Sequence, residues 1–146
     1  MKWYKKTLTI RTRGIGMLPI TEQVTEYLRK WQVNEGMCHL YIQHTSASLT
    51  INESFDHTAQ VDMEAFMERI APQEQPWMSH TMEGKDDSSS HLRTMLTNVS
   101  LSIPIENGEL CLGTWQGIYL LEHRNSPHNR QILVRCLSIE EGDINE

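Results

Sequence analysis

Val99-Ser-Leu-Ser-Ile-Pro-Ile-Glu-Asn-Gly-Glu-Leu-Cys-Leu112 is the stretch whose reading decides the fold class. Val99, Leu101, Ile103 and Ile105 alternate with polar residues over a full strand length, the period of a strand with one buried face. Asn107-Gly108 follows, two residues that tolerate positive φ and so suit a type I′ hairpin turn. Leu110 and Leu112 open a return strand, which continues through Gly113-Thr-Trp-Gln-Gly117 to Ile118–Glu122. Two glycines inside it signal a bulge, or a close approach by another backbone or a ligand.

Working outward, the loop 125–129 precedes a nearly continuous apolar strand from Ile132 to Ile139, which reads as buried. On the other side, Leu92, Met95 and Leu96 mark a short helix opened by Ser88 to Ser90. Further upstream, Ala59, Met63, Phe66, Met67 and Ile70 recur at helical spacing and stop at Pro72. Cys38–Gln43 and Leu49–Glu53 alternate as strands, and the small polar run His44–Ser48 between them predicts a tight corner or bulge. Ile20, Val24, Tyr27, Leu28 and Trp31 form the clearest amphipathic stripe, with Glu22 and Glu26 near its start and Arg29 and Lys30 near its end, as the helix dipole favours. A glycine-punctuated loop from Arg11 to Gly16 separates it from a first strand, Trp3–Ile10. Many strands around two main helices predict an α+β fold: one domain over residues 1–146, an antiparallel β-sandwich-like core with both helices packed outside.

The chain's 146 residues are enough for a sizeable core. The net charge of −6, with no basic run, argues against a nucleic-acid partner. The acidic tail from Glu140 to Glu146 reads as solvated and frayed. Cys38, Cys111 and Cys136 form no C-x-x-C pair, and each falls in a strand-like segment, which predicts reduced core thiols. No apolar leader or membrane-spanning stretch is present, so the expectation is a soluble, cytoplasmic protein with no membrane partner.

Chemistry concentrates in His80-Thr-Met-Glu-Gly-Lys-Asp-Asp-Ser-Ser-Ser-His91. Gly84 permits a sharp bend. If a helix starts at the serines, Asp87 and His91 lie four residues apart on one face. Imidazoles beside carboxylates near a helix start suit a divalent metal site or a general acid/base centre. A polar loop leading into a capped helix is the plainer reading of the same residues.

Four stretches carry a resemblance: His44-Thr-Ser-Ala-Ser-Leu-Thr-Ile-Asn-Glu53, His80–Asp87 with His91, Ile103-Pro-Ile-Glu-Asn-Gly108, and Leu112-Gly-Thr-Trp-Gln-Gly-Ile-Tyr119 with Glu122-His-Arg124. In these, and over essentially its whole length, the chain resembles the YjbQ family of small bacterial and archaeal proteins. The resemblance implies a β-rich α+β domain assembled as a homotrimer, with a histidine-lined pocket able to hold a metal ion. It also implies a weak thiamine-phosphate synthase activity, in a family whose primary cellular role is unsettled. Ser88-Ser89-Ser90 stands where relatives usually carry Met-Pro-Ala, and Arg93 where they usually carry Lys.

With the resemblance, His80, His91 and His44 are the expected metal ligands. Three imidazoles and an open fourth position suit catalytic zinc, while magnesium would accompany a pyrophosphate substrate. Asp86 and Asp87 orient a ligand histidine, bind the metal of a magnesium pyrophosphate, or cap the helix. Glu53, Asp87 and Glu122 are the candidate acid/base residues. Ser46 and Ser48 are read as substrate hydrogen-bond donors rather than nucleophiles. Arg93 and Arg124, with Arg130 behind them, are read as grips for a phosphorylated substrate, although Glu122 and Arg124 equally read as a salt-bridged rim. Trp115 and Gln116 are either pocket wall or, for the indole, core packing. Three functions stay open: a metal-assisted transferase joining a pyrimidine-methyl pyrophosphate to a thiazole phosphate, a zinc hydrolase with Glu53 or Asp87 as base, and a non-enzymatic trimer that binds a metal, a metabolite or a partner.

Overall fold

Alternating apolar residues drive the chain into strands that pair antiparallel throughout. In chain order the elements are β1 (Lys2–Arg11), β2 (Gly16–Pro19), α1 (Thr21–Trp31), β3 (Gly36–Ile42), β4 (Ala47–Glu53), α2 (His57–Ile70), α3 (Asp87–Met95), β5 (Ser100–Glu106), β6 (Glu109–Leu110), β7 (Gln116–Glu122) and β8 (Asn129–Ser138). This computed structural model describes residues 1–140. The expected frayed tail therefore lies, past Glu140, outside the described residues. A five-stranded sheet runs β1-β8-β3-β5-β6, and a three-stranded sheet runs β2-β7-β4. No described helix is long and apolar enough to cross a membrane.

The hairpin at Asn107-Gly108 forms as expected. Ile105 pairs with Leu110 and Glu106 with Glu109, and both turn residues have positive φ, 52° and 77°. The return strand, however, is not continuous. Only Glu109 and Leu110 pair with β5; the chain then leaves the sheet, and β7 belongs to the smaller one. The glycine signal has a physical cause at Gly117, where an added Cβ would lie 2.7 Å from the Ser54 Cβ. The close approach is to the chain's own residues just beyond β4.

The run 43–46 is a corner, as its small residues predict: β3 ends in the large sheet and β4 begins in the small one. β2 falls where the sequence reads as loop, because four residues are too few for alternation to register; pairing with β7 defines it. Between the sheets lie Leu8, Leu40, Ile42, Leu49, Ile118, Leu120, Ile132 and Val134, joined by Val24 and Leu28 of α1. Each such side chain contributes about 1.5–3 kcal/mol by leaving water.

Two expectations need correcting. α2 forms as expected, with Asp56 capping the Thr58 N–H at 2.9 Å, but none of its residues is buried, and Phe66 and Ile70 stay 60% and 50% exposed. Its apolar stripe overhangs a groove rather than sealing against the sheet. Of the cysteines, Cys38 and Cys136 are buried, free and directly opposed across β3 and β8, whereas Cys111, just past β6, is exposed although its N–H still bonds the Pro104 carbonyl of β5 at 2.9 Å.

Candidate metal centre

Gly84, at φ 106°, turns the loop so that Asp86 and Asp87 open α3. Asp86 occupies the cap position, but its side chain makes no capping bond. Both carboxylates turn instead to Arg124, so the capping reading gives way to an ionic one. Arg124 Nε donates to Asp86 Oδ2 at 3.0 Å, one terminal nitrogen donates to Asp87 Oδ1 at 2.7 Å, and the other to the Glu83 carbonyl at 3.0 Å. The Asn125 N–H adds a bond to Asp86 at 2.7 Å. The serine triplet is tightly held: Ser89 and Ser90 are fully buried, and their hydroxyls donate back to the Asp86 and Asp87 carbonyls.

Asp87 thereby projects its other oxygen, Oδ2, between two imidazoles. His80 Nε2 lies 2.6 Å from it and His91 Nε2 3.0 Å. The three ligand atoms all fall within 4.8 Å of one another. His91 Nδ1 is 2.8 Å from the Thr45 carbonyl, which can only accept, so Nδ1 carries the proton and Nε2 faces the carboxylate with its lone pair or a second proton. Protonated at Nε2, His91 forms an ion pair with Asp87; with its lone pair there instead, the two atoms face each other across a place for a cation. The donor set therefore fits a divalent metal ion, with the Thr45 carbonyl setting the ligand tautomer from behind. Burial works against the charge on Asp87, yet the bond from His80 and the charges of His91 and Arg124 hold its pKa below the usual carboxylate range. The carboxylate is buried while both histidine side chains remain 46% and 38% exposed, so the cluster opens to solvent on the imidazole side.

His44 is not part of this group. Its Nε2 accepts the Gln131 N–H at 2.9 Å, which spends the lone pair a metal would need, and Arg130 sits 3.4 Å from its Nδ1. Burial, then the charge of Arg130, lowers its pKa. Asp87 takes the third place in the cluster. His44 belongs instead to a buried network around Glu122, which makes four hydrogen bonds: two from Arg130 at 2.7 and 2.5 Å, one from Thr12 at 2.7 Å, and one from the Arg124 N–H at 3.0 Å. Burial opposes its ionisation, but these donors, Arg130 first, hold its pKa low. Arg130 also donates to the carbonyl and hydroxyl of Ser46. Ser48 bonds His123 Nε2 at 2.8 Å and receives Thr97 at 2.6 Å. Burial and the charge of Arg93 push His123 down to about 4.

The remaining expected residues lie elsewhere. Glu53 accepts the N–H groups of Phe55 and Asp56 at the turn into α2. Trp115 is 56% exposed against Phe55, at a ring distance of 5.0 Å, so it is not core, and Gln116 bonds the Gly113 N–H of its own loop. Arg93 is 3% exposed and donates from Nε to the Ala71 carbonyl at 3.1 Å, touching none of the three cluster residues. Sequence reading missed Thr45, Thr12 and His123. Only Thr45 left a local trace, since it lies inside the small polar run at the corner.

The model of the UPF0047 protein YjbQ-like family matches residues 6–139. The chain belongs to that family. UPF0047 protein YjbQ of Escherichia coli O157:H7 is 42% identical over 132 residues, covering 90% of this chain and 95% of the relative. UPF0047 protein YugU of Bacillus subtilis is 34% identical over 133 residues, 90% and 98% of the two chains. Among solved structures, a conserved hypothetical protein from Thermus thermophilus has a TM-score of 0.81 at 33% identity, covering 90% of this chain and 99% of that one. A YbjQ-like protein of unknown function from Sulfolobus solfataricus reaches 0.86 at 24% identity, covering 94% and 99%, a likeness of fold. The UPF0047 assignment thus extends through the hairpin, the corner and the whole His80–His91 loop. None of these names carries an activity.

Proposed function

We propose that His80, Asp87 and His91 hold a divalent metal ion, zinc in preference to magnesium, and that the site performs metal-assisted chemistry on a small phosphorylated substrate. The observation that supports this reading is Asp87 Oδ2 lying 2.6 and 3.0 Å from two imidazole nitrogens that face it together. Two nitrogens and one carboxylate oxygen suit zinc, whereas magnesium prefers oxygen ligands alone. A metal held there would supply Lewis-acid neutralisation of charge on a departing phosphate oxygen. Arg124 fixes Asp87 through its far oxygen, so its part is positioning rather than a grip on phosphate. The Thr45 carbonyl orients His91, and the exposed imidazole faces leave room for a substrate to approach.

The finer assignment follows the family resemblance: weak transfer of a pyrimidine-methyl group from pyrophosphate to a thiazole phosphate, in a homotrimer. Metal content per chain, measured on protein purified without a histidine tag, tests the site. Near-stoichiometric zinc in the wild type, lost in His91→Ala, is the expected result. Protein that stays metal-free after incubation with zinc would overturn it. Growth rescue of a thiamine-requiring strain, lost in His80→Ala with the assembly intact, supports the transferase. Bound metal with no rescue would leave a binding protein. Sedimentation at three times the 17.0 kDa chain mass is expected.

A further inference from the structure

Arg93 is an unusual group to find without an anion. It is 3% exposed, and only its Nε is engaged, with the Ala71 carbonyl at 3.1 Å. Among the described residues its guanidinium forms no ion pair and no second hydrogen bond. A buried charge normally carries a partner, because desolvation costs more than any single neutral bond returns. Nη1 and Nη2 therefore present a free two-pronged edge.

Arg93 lines two grooves: one of about 630 Å³ under α2, beside His123 and Thr97, and one of about 730 Å³ beside Glu68 and Gln73; the first is the more apolar. Its volume lies within the roughly 300–1,000 Å³ range of small-molecule sites. The rest of its wall is largely apolar: Ile15, Met63, Phe66, Met67, Ile70 and Leu121. Along α2 the stripe from Met63 to Ile70 runs about 10 Å, the reach of a medium-length alkyl chain. The acids nearby do not neutralise Arg93. Glu68 acts on it through charge alone, without an ion-pair contact, and burial outweighs that help. Glu122 is committed to Arg130, Glu64 accepts the Met17 N–H and the Gln60 amide, and Asp62 is exposed. None of His80, Asp87 and His91 lines this groove.

We infer that the groove binds a medium-chain organic carboxylate, its head on the Arg93 fork and its alkyl body along the apolar stripe of α2. A planar two-oxygen head matches the Nη1/Nη2 edge as a bidentate pair. The alkyl body covers Phe66 and Ile70, which this chain leaves half in water. This inference does not depend on the metal proposal.

The test is titration calorimetry of the full chain with octanoate, with octylammonium and inorganic phosphate as probes of tail and head alone. Octanoate is expected to saturate one site per chain and to bind at least tenfold more tightly than either control. Arg93→Gln should weaken octanoate at least tenfold, as should Phe66→Glu, whose exposed position spares the fold. His91→Ala should leave octanoate binding unchanged. Octanoate that fails to saturate, or that binds wild type, Arg93→Gln and Phe66→Glu alike, overturns the inference. So does phosphate that matches octanoate, which would make this a site for the free anion. Phe66→Glu splitting an assembly whose wild type ignores octanoate would assign the groove to a second copy of the chain, and that too overturns it.

Discussion

Replacing Arg130 by Met tests the buried network most severely. Arg130 is 4% exposed and Glu122 is 1% exposed, and two of the four bonds to the Glu122 carboxylate come from this guanidinium. Removing it leaves Glu122 with the Thr12 hydroxyl and the Arg124 N–H, and strips the Ser46 hydroxyl of its partner. An orphaned buried charge costs about 3–5 kcal/mol, against a total stability of about 5–15 kcal/mol for a domain this size. Urea unfolding at pH 7 and a fixed protein concentration should show that loss. The double variant Glu122→Gln with Arg130→Met should recover about half of it, since no charge then lies uncompensated. The pH trend gives a second check. With Arg130 present the Glu122 pKa sits low; without it, burial raises it, so the variant takes up a proton on acidification while the wild type does not. The gap between them should narrow from pH 7 to pH 5. A single-variant cost under about 1 kcal/mol, or a gap that widens on acidification, would refute the reasoning.

Buried neutral His123 makes the wild type itself acid-sensitive. Its pKa falls from 6.5 to about 4 on folding, so stability present above 6.5 is lost as pH drops through that window, by about 3 kcal/mol in all. His44 adds to the loss in the same direction, and a flat denaturation midpoint between pH 6.5 and 4.5 would contradict both. Arg124→Met should reduce zinc affinity by about 10–100-fold in a chelator competition, because Asp87 loses the bond that aims it; unchanged affinity would show that Arg124 has no positioning role at the site. Gly117→Ala should destabilise by about 1–3 kcal/mol through the clash with Ser54, with most of the cost relieved by a paired Ser54→Gly.

The sequence is most readable where a partner lies close along the chain. The Asn107-Gly108 hairpin needs only the pairs 105–110 and 106–109, and α1 needs only its own stripe, so periodicity and turn chemistry find both. The division into two sheets rests on distant choices. β7 looks like the continuation of β6, and nothing within 112–118 shows that Gly117 must pass against Ser54, some sixty residues earlier. β2 is a strand only because β7 comes to lie beside it.

The same rule of distance sorts the site. Asp87 and His91 share a face through one helical turn, and His80 is brought in by a short loop bent at Gly84. His44 is joined to them by the resemblance, yet its ring goes to Arg130 and Gln131, more than eighty residues away, where no local pattern points. Arg93 is the instructive case, because the information that places it is local. Two positions after His91, a helical residue lies about 200° around the axis, so the period that places His91 with Asp87 also turns Arg93 away from them. A phosphorylated substrate held by Arg93 could not then rest on His80 and His91 without reaching around α3. The helix separates two chemistries, a His–Asp–His face that could hold a metal ion and a buried cation over an apolar groove, and a ligand of one has no structural reason to be the ligand of the other.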